Sequence, residues 1–499
     1  MGSEDTAHPE GVSEGGDLRE LQTWLDSHAN FEQNMPARAQ VPTLDRIAQL
    51  CRLLGDPQLA CPVVHVTGTN GKGSTVRILS TLFAARGLSV GTYTSPNLLT
   101  VNERMARNGR PVPDDDLAAG LAALRRLEPL VDGRVTRFEL LTAAAFAWFA
   151  EVAVDVAVVE VGLGGRWDAT NVVRPDVCVV TNVSADHLEV LGPTLVDVAQ
   201  EKAGIVKPGA RLVLGETAPD LAAVFLAAAT EAGAPVWQRD REFGCEANRL
   251  AVGGRLLDLR TPFGRFEDVF LALHGAHQGD NAAGALAAAE AFFDGPMPRD
   301  VVDEAFAAVE IPGRLEVVGR SPLVILDGAH NVAGAEALGR ALADELPVAG
   351  ERIAVVGMLR GRDPSEMLQP LAAAGIRSVV ACTAPSDRGL PAGDVAAGAR
   401  ALGLHVDVVE DAGDAVRSAL AAATDQDLVV VAGSLYVVAE ARRILVAPER
   451  GDGTDDEEAG GPGGHEQQRN GSRPRSSELE GWGANGSAAP QVDGPGWPG

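Results

Sequence analysis

The chain has 499 residues, of which 45% are hydrophobic and 22% charged, with 69 acidic against 42 basic side chains and a formal net charge of −27. Such length and apolar content predict a globular protein of two or three domains, and the acidic surplus speaks against nucleic-acid or anionic-lipid partners, whose phosphates need a concentrated basic surface. No apolar run is long enough to span a bilayer and no charged-then-apolar leader opens the chain, so a cytoplasmic protein is expected.

Residues 1–17 are polar, acidic and glycine-containing, which predicts a disordered tail, and the first helix is expected over Leu18–Leu25. The run Val63–Val66 leads as a strand into Thr67-Gly68-Thr69-Asn70-Gly71-Lys72-Gly73-Ser74-Thr75, and Val76–Arg86 reads as a helix. Strand, glycine loop and helix make a phosphate cradle. Backbone N–H groups and the positive end of the helix dipole face an anion, Lys72 adds a point charge, and a hydroxyl can reach Mg²⁺. The usual G-x-x-x-x-G-K-[ST] spacing is not strictly met: Val66 stands where its first glycine would be, and Gly73 separates Lys72 from Ser74.

Further strands are expected at Val90–Thr94, Val154–Val161, Val177–Thr181, Leu323–Leu326, Arg352–Val356, Ser378–Cys382 and Leu428–Ala432. Alanine-rich segments of helical period, such as Val332–Leu346 and Asp414–Thr424, lie between them. This alternation predicts parallel sheets covered by helices on both faces. Residues 236–274 interrupt it with short strands, glycines and arginines, as an antiparallel insertion would. Ile311-Pro312-Gly313-Arg314 reads as a hinge between two α/β units. From Ala447 onward Gly, Pro, Ser and acids prevail, including the run Asp455–Glu458, and a second disordered tail is expected. The parts are thus a tail (1–17), a first unit (18–311), a second unit (312–446) and a tail (447–499). Five widely spaced cysteines without a C-x-x-C pair predict buried thiols, not a disulfide framework or a zinc site.

Three blocks beyond the glycine loop carry candidate chemistry. Val159-Glu160-Val161-Gly162-Leu163-Gly164-Gly165-Arg166-Trp167-Asp168 delivers Glu160 at the C-terminal end of a strand, where glycines let the backbone turn sharply beside a ligand. Opposite a P-loop, that carboxylate is placed to hold Mg²⁺, directly or through water. Thr181–Glu189 sets His187 beyond a strand that should neighbour the one bearing Glu160, making it a candidate second metal ligand. Lys202 enters the end of a mostly apolar helix, ordinarily the place of an exposed charge. Near Mg²⁺ such a lysine could instead turn neutral and react with CO₂ to give a carbamate ligand.

The motifs T-G-T-N-G-K-G-S-T, T-S-P-N-L with N-E-R, F-E-L-L-T-A-A-A-F, V-E-V-G-L-G-G-R-W-D-A-T-N, D-H-L and E-K-A-G-I follow one another in that order. H-Q-G-D-N-A, P-G-R-L-E-V, D-G-A-H-N and G-S-L-Y-V-V-A-E complete the series. Over about residues 18–446 this series resembles that of the folate branch of the Mur-ligase superfamily, the dihydrofolate and folylpolyglutamate synthases. The resemblance implies an α/β fold, a P-loop ATPase domain with a mainly parallel sheet followed by a smaller Rossmann-like α/β domain. It also implies ATP, two Mg²⁺ ions, L-glutamate, dihydropteroate and folates as ligands, and a monomeric enzyme. By position, it implies that Thr69, Asn70, Gly71, Lys72 and Gly73 hold the ATP phosphates. Ser74, Ser95, Glu160 and His187 would hold the metal ions, joined by Lys202 as a carbamate. Asn281, Arg314 and Asp327 would hold ATP from the far side of the cleft, the last two across the hinge, so that closure completes the site. Phe138, Glu139 and the Trp167-Asp168-Ala169 turn fall where the pterin binds, and His330 and Ser434 are the implied contacts to incoming glutamate. Two positions depart from the family pattern: Asn97, where histidine is usual, and Trp167, where leucine is common. Both lie near the implied pterin pocket and bear on the preference between dihydropteroate and folate.

These residues suit amide formation. A substrate carboxylate takes the γ-phosphoryl group of ATP, and the α-amino group of L-glutamate displaces phosphate from the acyl phosphate. Lys72, Glu160, His187 and Lys202 are the catalytic candidates, acting by positioning and charge neutralisation. No Ser-His-Asp or Cys-His arrangement is evident. A monofunctional synthase, or a relative acting on another carboxylate, stays open through Asn97 and Trp167. A non-catalytic ATP-binding scaffold is opposed by the complete set Lys72, Ser74, Glu160, His187 and Lys202. A simple ATPase or kinase would leave the second domain and its D-G-A-H-N motif without a purpose.

Overall fold

A computed structural model of the chain describes residues 17–32 and 43–446. The helix expected near Leu18 spans Leu18–Asp26, capped by Asp17, whose carboxylate accepts the Arg19 N–H. The rest of the expected N-terminal tail and the tail expected from 447 onward lie outside the described residues.

Eight strands build the first sheet: β1 (Val63–Thr67), β2 (Val90–Tyr93), β3 (Met105–Arg107), β4 (Arg110–Pro111), β5 (Val156–Glu160), β6 (Val177–Val180), β7 (Arg211–Leu214) and β8 (Val236–Gln238). Their order is β4-β3-β2-β5-β1-β6-β7-β8. Pairing is parallel from β2 through β8, and β3 with β4 adds an antiparallel edge. Every residue of β1, β2, β5 and β6 is buried, which is why these segments read as continuous apolar runs and not as alternating ones. Val66 pairs with Glu160, Thr67 with Val180 and Tyr93 with Val159. The four strand ends are therefore nearly level, and the loops that follow them open on one edge, where ligands of parallel sheets bind.

The insertion is antiparallel, as expected, but starts later: β8 still belongs to the first sheet, and β9 (Gly244–Ala251), β10 (Gly254–Thr261) and β11 (Gly264–Leu271) form a separate three-stranded sheet. Its apolar face, with Leu257, Leu259 and Val269, shares a core with the alanine-rich helix His277–Phe293. The second large sheet comprises β12 (Glu316–Arg320), β13 (Leu323–Leu326), β14 (Arg352–Val356), β15 (Ser378–Ala381), β16 (His405–Val408) and β17 (Leu428–Ala432). The order is β12-β13-β17-β14-β15-β16, parallel except for β12.

Most expected strands agree to within a residue or two, and the departures have local causes. The strand expected from Val154 begins at Val156, because Ala153 turns the chain with φ 49. The helix expected from Val76 begins at Lys72, directly on the glycine loop. Strands β7 and β16 had no place among the expected elements; β16 is a mostly exposed edge strand with one charged and one imidazole side chain in four residues, so it carries little apolar signal. Between the two large sheets, Gly313 and Leu315 adopt positive φ (69 and 47), making the expected hinge segment a tight turn. Cys51, Cys178 and Cys382 are buried, and the five thiols are free. Among the described residues no helix is long and apolar enough to cross a membrane.

Candidate functional site

The glycine loop is held in shape by the loop after β6. Thr69 N–H donates to the Asn182 carbonyl at 2.9 Å, Asn70 N–H to Asn182 Oδ1 at 3.0 Å, and Thr181 Oγ1 to the Asn70 carbonyl at 2.7 Å. Ser184 N–H and Thr69 Oγ1 add a further bond of 3.0 Å. Helix Lys72–Ala85 has Gly71 at its N-cap with no side-chain cap, which leaves first-turn amides available to an anion. Gly71 itself has no alternative: its φ is 82, and a Cβ there would stand 2.4 Å from Asn281 Oδ1. Lys72 Nζ folds back onto the Thr69 carbonyl at 3.1 Å.

A cavity of about 420 Å³ opens on this loop. Thr69, Asn70, Gly71, Lys72, Gly73 and Ser74 line it together with Ser95, Glu160, His187, Lys202, Asn281, Arg314, Asp327 and His330. The fourteen positions come from eight separate stretches of sequence. Glu160 is buried at the end of β5 and accepts the Ser95 N–H at 3.2 Å; burial pushes its carboxyl up, with Lys72 and the Ser95 amide pulling the other way. His187 occupies the left-handed region (φ 52, ψ 36), an uncommon and costly place for a non-glycine residue, and its Nδ1 is buried without a hydrogen bond, 3.8 Å from the Glu189 carboxylate. Lys202 is buried, with Nζ 2.7 Å from the Gly68 carbonyl; burial first, then the Lys72 charge, hold its amine well below the usual lysine range. A lysine held toward the neutral form meets the chemical requirement for carbamate formation.

Among the described residues no three His, Cys, Asp or Glu side chains gather into a group that could hold a metal ion. That is compatible with Mg²⁺, which keeps several waters and takes one or two carboxylates plus phosphate oxygens instead of a protein cage. The Glu160 carboxylate, the hydroxyls of Ser74 and Ser95 and the His187 nitrogen that makes no hydrogen bond fit such an ion at this wall.

Across the cleft stand the loops after β13, β14 and β17. Asp327 spends both oxygens on backbone, Oδ2 on Leu315 N–H (2.9 Å) and Oδ1 on Ala329 N–H (2.8 Å), so it shapes the turn as well as lining the cavity. Arg314 lies so close to Gly328 that a Cβ there would meet its Nη1 at 1.9 Å. The two sides are tied through Asp186: its carboxylate accepts from Arg362 Nη2 at 2.7 Å and from Asn331 Nδ2 at 3.1 Å, and the latter also donates to Asn70 Oδ1 at 3.1 Å. His330 approaches the same carboxylate at 3.8 Å; burial pushes its imidazole down to about 4. Behind the cleft, Arg255 of β10 pairs with the buried Glu345 at 3.0 Å. Asp186, Asn331 and Arg362 were not among the sequence candidates, although D-H-L and D-G-A-H-N contain the first two.

A second cavity, of about 590 Å³, adjoins the first, and Ser95, Pro96, the Gly162–Gly164 turn, His187, His330 and Leu435 line both. Its walls include Phe31, Phe138, Trp167 and Tyr436, the acids Glu32, Glu139 and Asp168, the cations Arg362 and Arg388, and Ala169 and Ser434. All the positions implied for pterin and glutamate contacts therefore face one space. Several of their polar groups are already engaged. Glu139 forms a capping box with Thr136 and pairs with Arg46 at 3.1 Å. Asp168 accepts from Leu163 N–H at 2.9 Å and from Thr170 N–H and hydroxyl at 3.0 and 2.5 Å; burial still pushes its carboxyl up. Ser434 caps helix Leu435–Leu445. Trp167 is 44% exposed, a flat apolar surface at the wall. Asn97 acts one step back from the cavity: its Oδ1 accepts Arg104 Nε at 2.7 Å, and Arg104, only 2% exposed, clasps Glu32 at 2.8 and 2.5 Å. The Glu32 carbonyl in turn takes Arg388 from the opposite side at 3.3 Å.

Comparison with known proteins bears on this arrangement. Residues 66–289 match the Mur ligase middle domain, and residues 313–435 match the Mur ligase glutamate ligase domain. The chain is 41% identical over 350 residues to the dihydrofolate synthase/folylpolyglutamate synthase of Mycobacterium tuberculosis, covering 65% of this chain and 71% of the relative. It superposes on Mycobacterium tuberculosis folylpolyglutamate synthase complexed with ADP and AMPPCP with a TM-score of 0.80 at 36% identity, over 86% of this chain and 98% of the other. Escherichia coli FolC in complex with DHPP and ADP gives a TM-score of 0.76 at 32% identity, over 85% and 97% of the two chains.

Proposed function

Because the chain belongs to the Mur ligase family, alongside its dihydrofolate synthase/folylpolyglutamate synthases, we propose that it joins L-glutamate to dihydropteroate and to folates at the expense of ATP. The observation that carries this reading is the junction of the two cavities: one wall presents a phosphate cradle, the other an aromatic space, and they meet at Ser95, His187 and the glycine turn after Glu160. A phosphoryl donor and a flat acceptor can thus approach one another without sharing a door. We assign residues 18–311 to the nucleotide-binding unit and 312–446 to the unit that closes over it.

ATP, with Mg²⁺, supplies the phosphoryl group that turns the acceptor's carboxylate into an acyl phosphate. The first-turn amides and Lys72 hold the triphosphate in the cradle and neutralise charge as it spreads over the transferring group. Ser74, Ser95, Glu160, His187 and a carbamylated Lys202 provide oxygen and nitrogen donors for two ions. Arg314 and Asp327 close on the nucleotide from the far side, while Asn281, expected there too, stands on the loop's own side, its Oδ1 against Gly71. In the second cavity Phe138, Glu139 and Trp167-Asp168-Ala169 orient the pterin-bearing substrate, while His330 and Ser434 present the glutamate. The His330 Nδ1 meets the Gly328 carbonyl at 2.8 Å, so its Nε2 is the nitrogen left to accept a hydrogen bond near the incoming amino group. The ties through Asp186 keep the cleft shut, which excludes water from the acyl phosphate.

The test is ADP release with L-glutamate, offering 7,8-dihydropteroate and a reduced folate separately and weighing the products. Glutamate adducts on both support the dual ligase. An adduct on one alone narrows the assignment to a single synthase and points to Trp167, which faces the cavity. No adduct on either removes the folate reading.

A further inference from the structure

Strand β1 delivers the glycine loop, and it also reaches sideways. His65 and Thr67, two residues apart and so on one face of the strand, both contact the segment after β5. Thr67 Oγ1 donates to the Gly164 carbonyl at 2.7 Å, and His65 Nε2 lies 2.8 Å from Thr170 Oγ1. The Thr170 hydroxyl stands 2.5 Å from Asp168 Oδ1. Both Asp168 oxygens also receive backbone N–H groups, from Thr170 and Leu163, the pattern of an ionised acceptor. The single Thr170 proton therefore goes to Asp168, and the Thr170 oxygen accepts the proton on His65 Nε2.

This order fixes the tautomer: His65 Nδ1 carries a lone pair, and that atom is buried with no partner. The residue has no exposed surface, and burial, with Lys207 adding to it, pushes the imidazole down to about 3, so the ring is neutral. A buried ring with one unsatisfied nitrogen is a poor core residue, since an aliphatic side chain would fill the space without that loss. What the imidazole adds is direction, in a one-way chain from β1 to the wall of the aromatic cavity.

We infer that His65 is a positioning residue for Asp168: its Nε2–H orients the Thr170 hydroxyl, which holds the Asp168 carboxylate in one attitude toward the acceptor substrate. The inference rests on the reading that Asp168 contacts the pterin-bearing substrate. It makes acceptor binding depend on the strand that carries the phosphate loop.

Steady-state kinetics of the full chain test it, with His65→Leu, His65→Gln, Thr170→Val, Thr170→Ser and Asp168→Asn compared. KM for dihydropteroate is expected to rise about tenfold in His65→Leu and Thr170→Val, while kcat and KM for ATP stay within about twofold. Gln and Ser, which keep a donor and a hydroxyl, are expected to restore it. An equal rise in KM for ATP, or losses that Gln and Ser do not relieve, overturns the proposal in favour of a packing role. If Asp168→Asn raises acceptor KM but His65→Leu does not, positioning falls and the Asp168 reading stands. If Asp168→Asn leaves acceptor KM unchanged, that reading falls and the proposal with it. Should His65→Leu fail to fold, the Thr170 pair decides alone, and an unaffected Thr170→Val refutes the chain.

Discussion

The two adjoining cavities are built on different plans. The smaller one centres on backbone, an uncapped helix start and a glycine loop braced by asparagines and threonines from the neighbouring strand end, with side chains from other parts of the chain set around them. The larger one is a patchwork of side chains, with Phe31, Phe138, Trp167 and Tyr436 drawn from four distant parts of the chain. A compact, multiply charged group can be held by a short contiguous stretch, because amides and a helix end already point together. A flat, mostly apolar molecule has to be surrounded, and surrounding it takes pieces that only the tertiary fold brings together.

That contrast can be broken by experiment. Lys72→Ala is expected to lower kcat by about a thousandfold, the scale for losing a preorganised charge at a transferring group, with dihydropteroate binding nearly unchanged by calorimetry; weakened acceptor binding would mean the two cavities are not separable. Arg104→Met should act on the larger cavity instead. It releases Glu32, which keeps partial access to water, so the expected cost is about 2 kcal/mol of stability, less than for a fully buried pair. KM for the acceptor should rise and KM for ATP should not. Asp186 probes the tie between the two sides. Burial pushes its carboxyl up, but His187 and Arg362 outweigh it and hold the folded value well below the usual range. Its contribution to stability is thus fully present above the unfolded value near 4 and is lost as pH falls through the lower folded value. Asp186→Asn should flatten that acid limb in melting curves recorded from about pH 5 downward; an unchanged limb would show that the tie contributes little. The smallest effect is expected from Asn97→His. Its side chain meets Arg104 and not the cavity, so the ratio of KM values for dihydropteroate and folate should move by less than about twofold.

How much of this was legible in the sequence follows the same divide. The glycine loop, Glu160 and His187 sit at ends of buried parallel strands, whose unbroken apolar runs and following glycines are visible without coordinates. The tie between the two sides was not. Asp186 and Asn331 stood inside motifs already singled out, yet His187 drew attention in one and Asp327 and His330 in the other, because a polar residue beside a histidine looks like a solvated neighbour until its partner is known. Arg362 had no signal at all: Gly361-Arg362-Asp363 is an ordinary turn composition, and its function comes from meeting Asp186 across 176 positions. Asn97 departs from the family pattern near the implied pocket, and the structure sets it against Arg104, one step behind the wall.

One covalent crossing, the turn at Pro312 and Gly313, carries the chain from the first large sheet to the second, and the buried hydrophobic clusters on its two sides share no member. Each side thus has a core of its own, with Leu98 of the first side packed against that of the second. Joins between the two sides, among them Asp186 with Arg362 and Asn331 in the cleft and Arg255 with Glu345 behind it, run through side chains and need no peptide bond. The connecting segment's thermodynamic role reduces to keeping two partners at high local concentration, of about millimolar order for short tethers. A chain divided at that turn and produced as two separate polypeptides should therefore reconstitute on mixing, with activity that grows as the product of the two concentrations until the partners saturate.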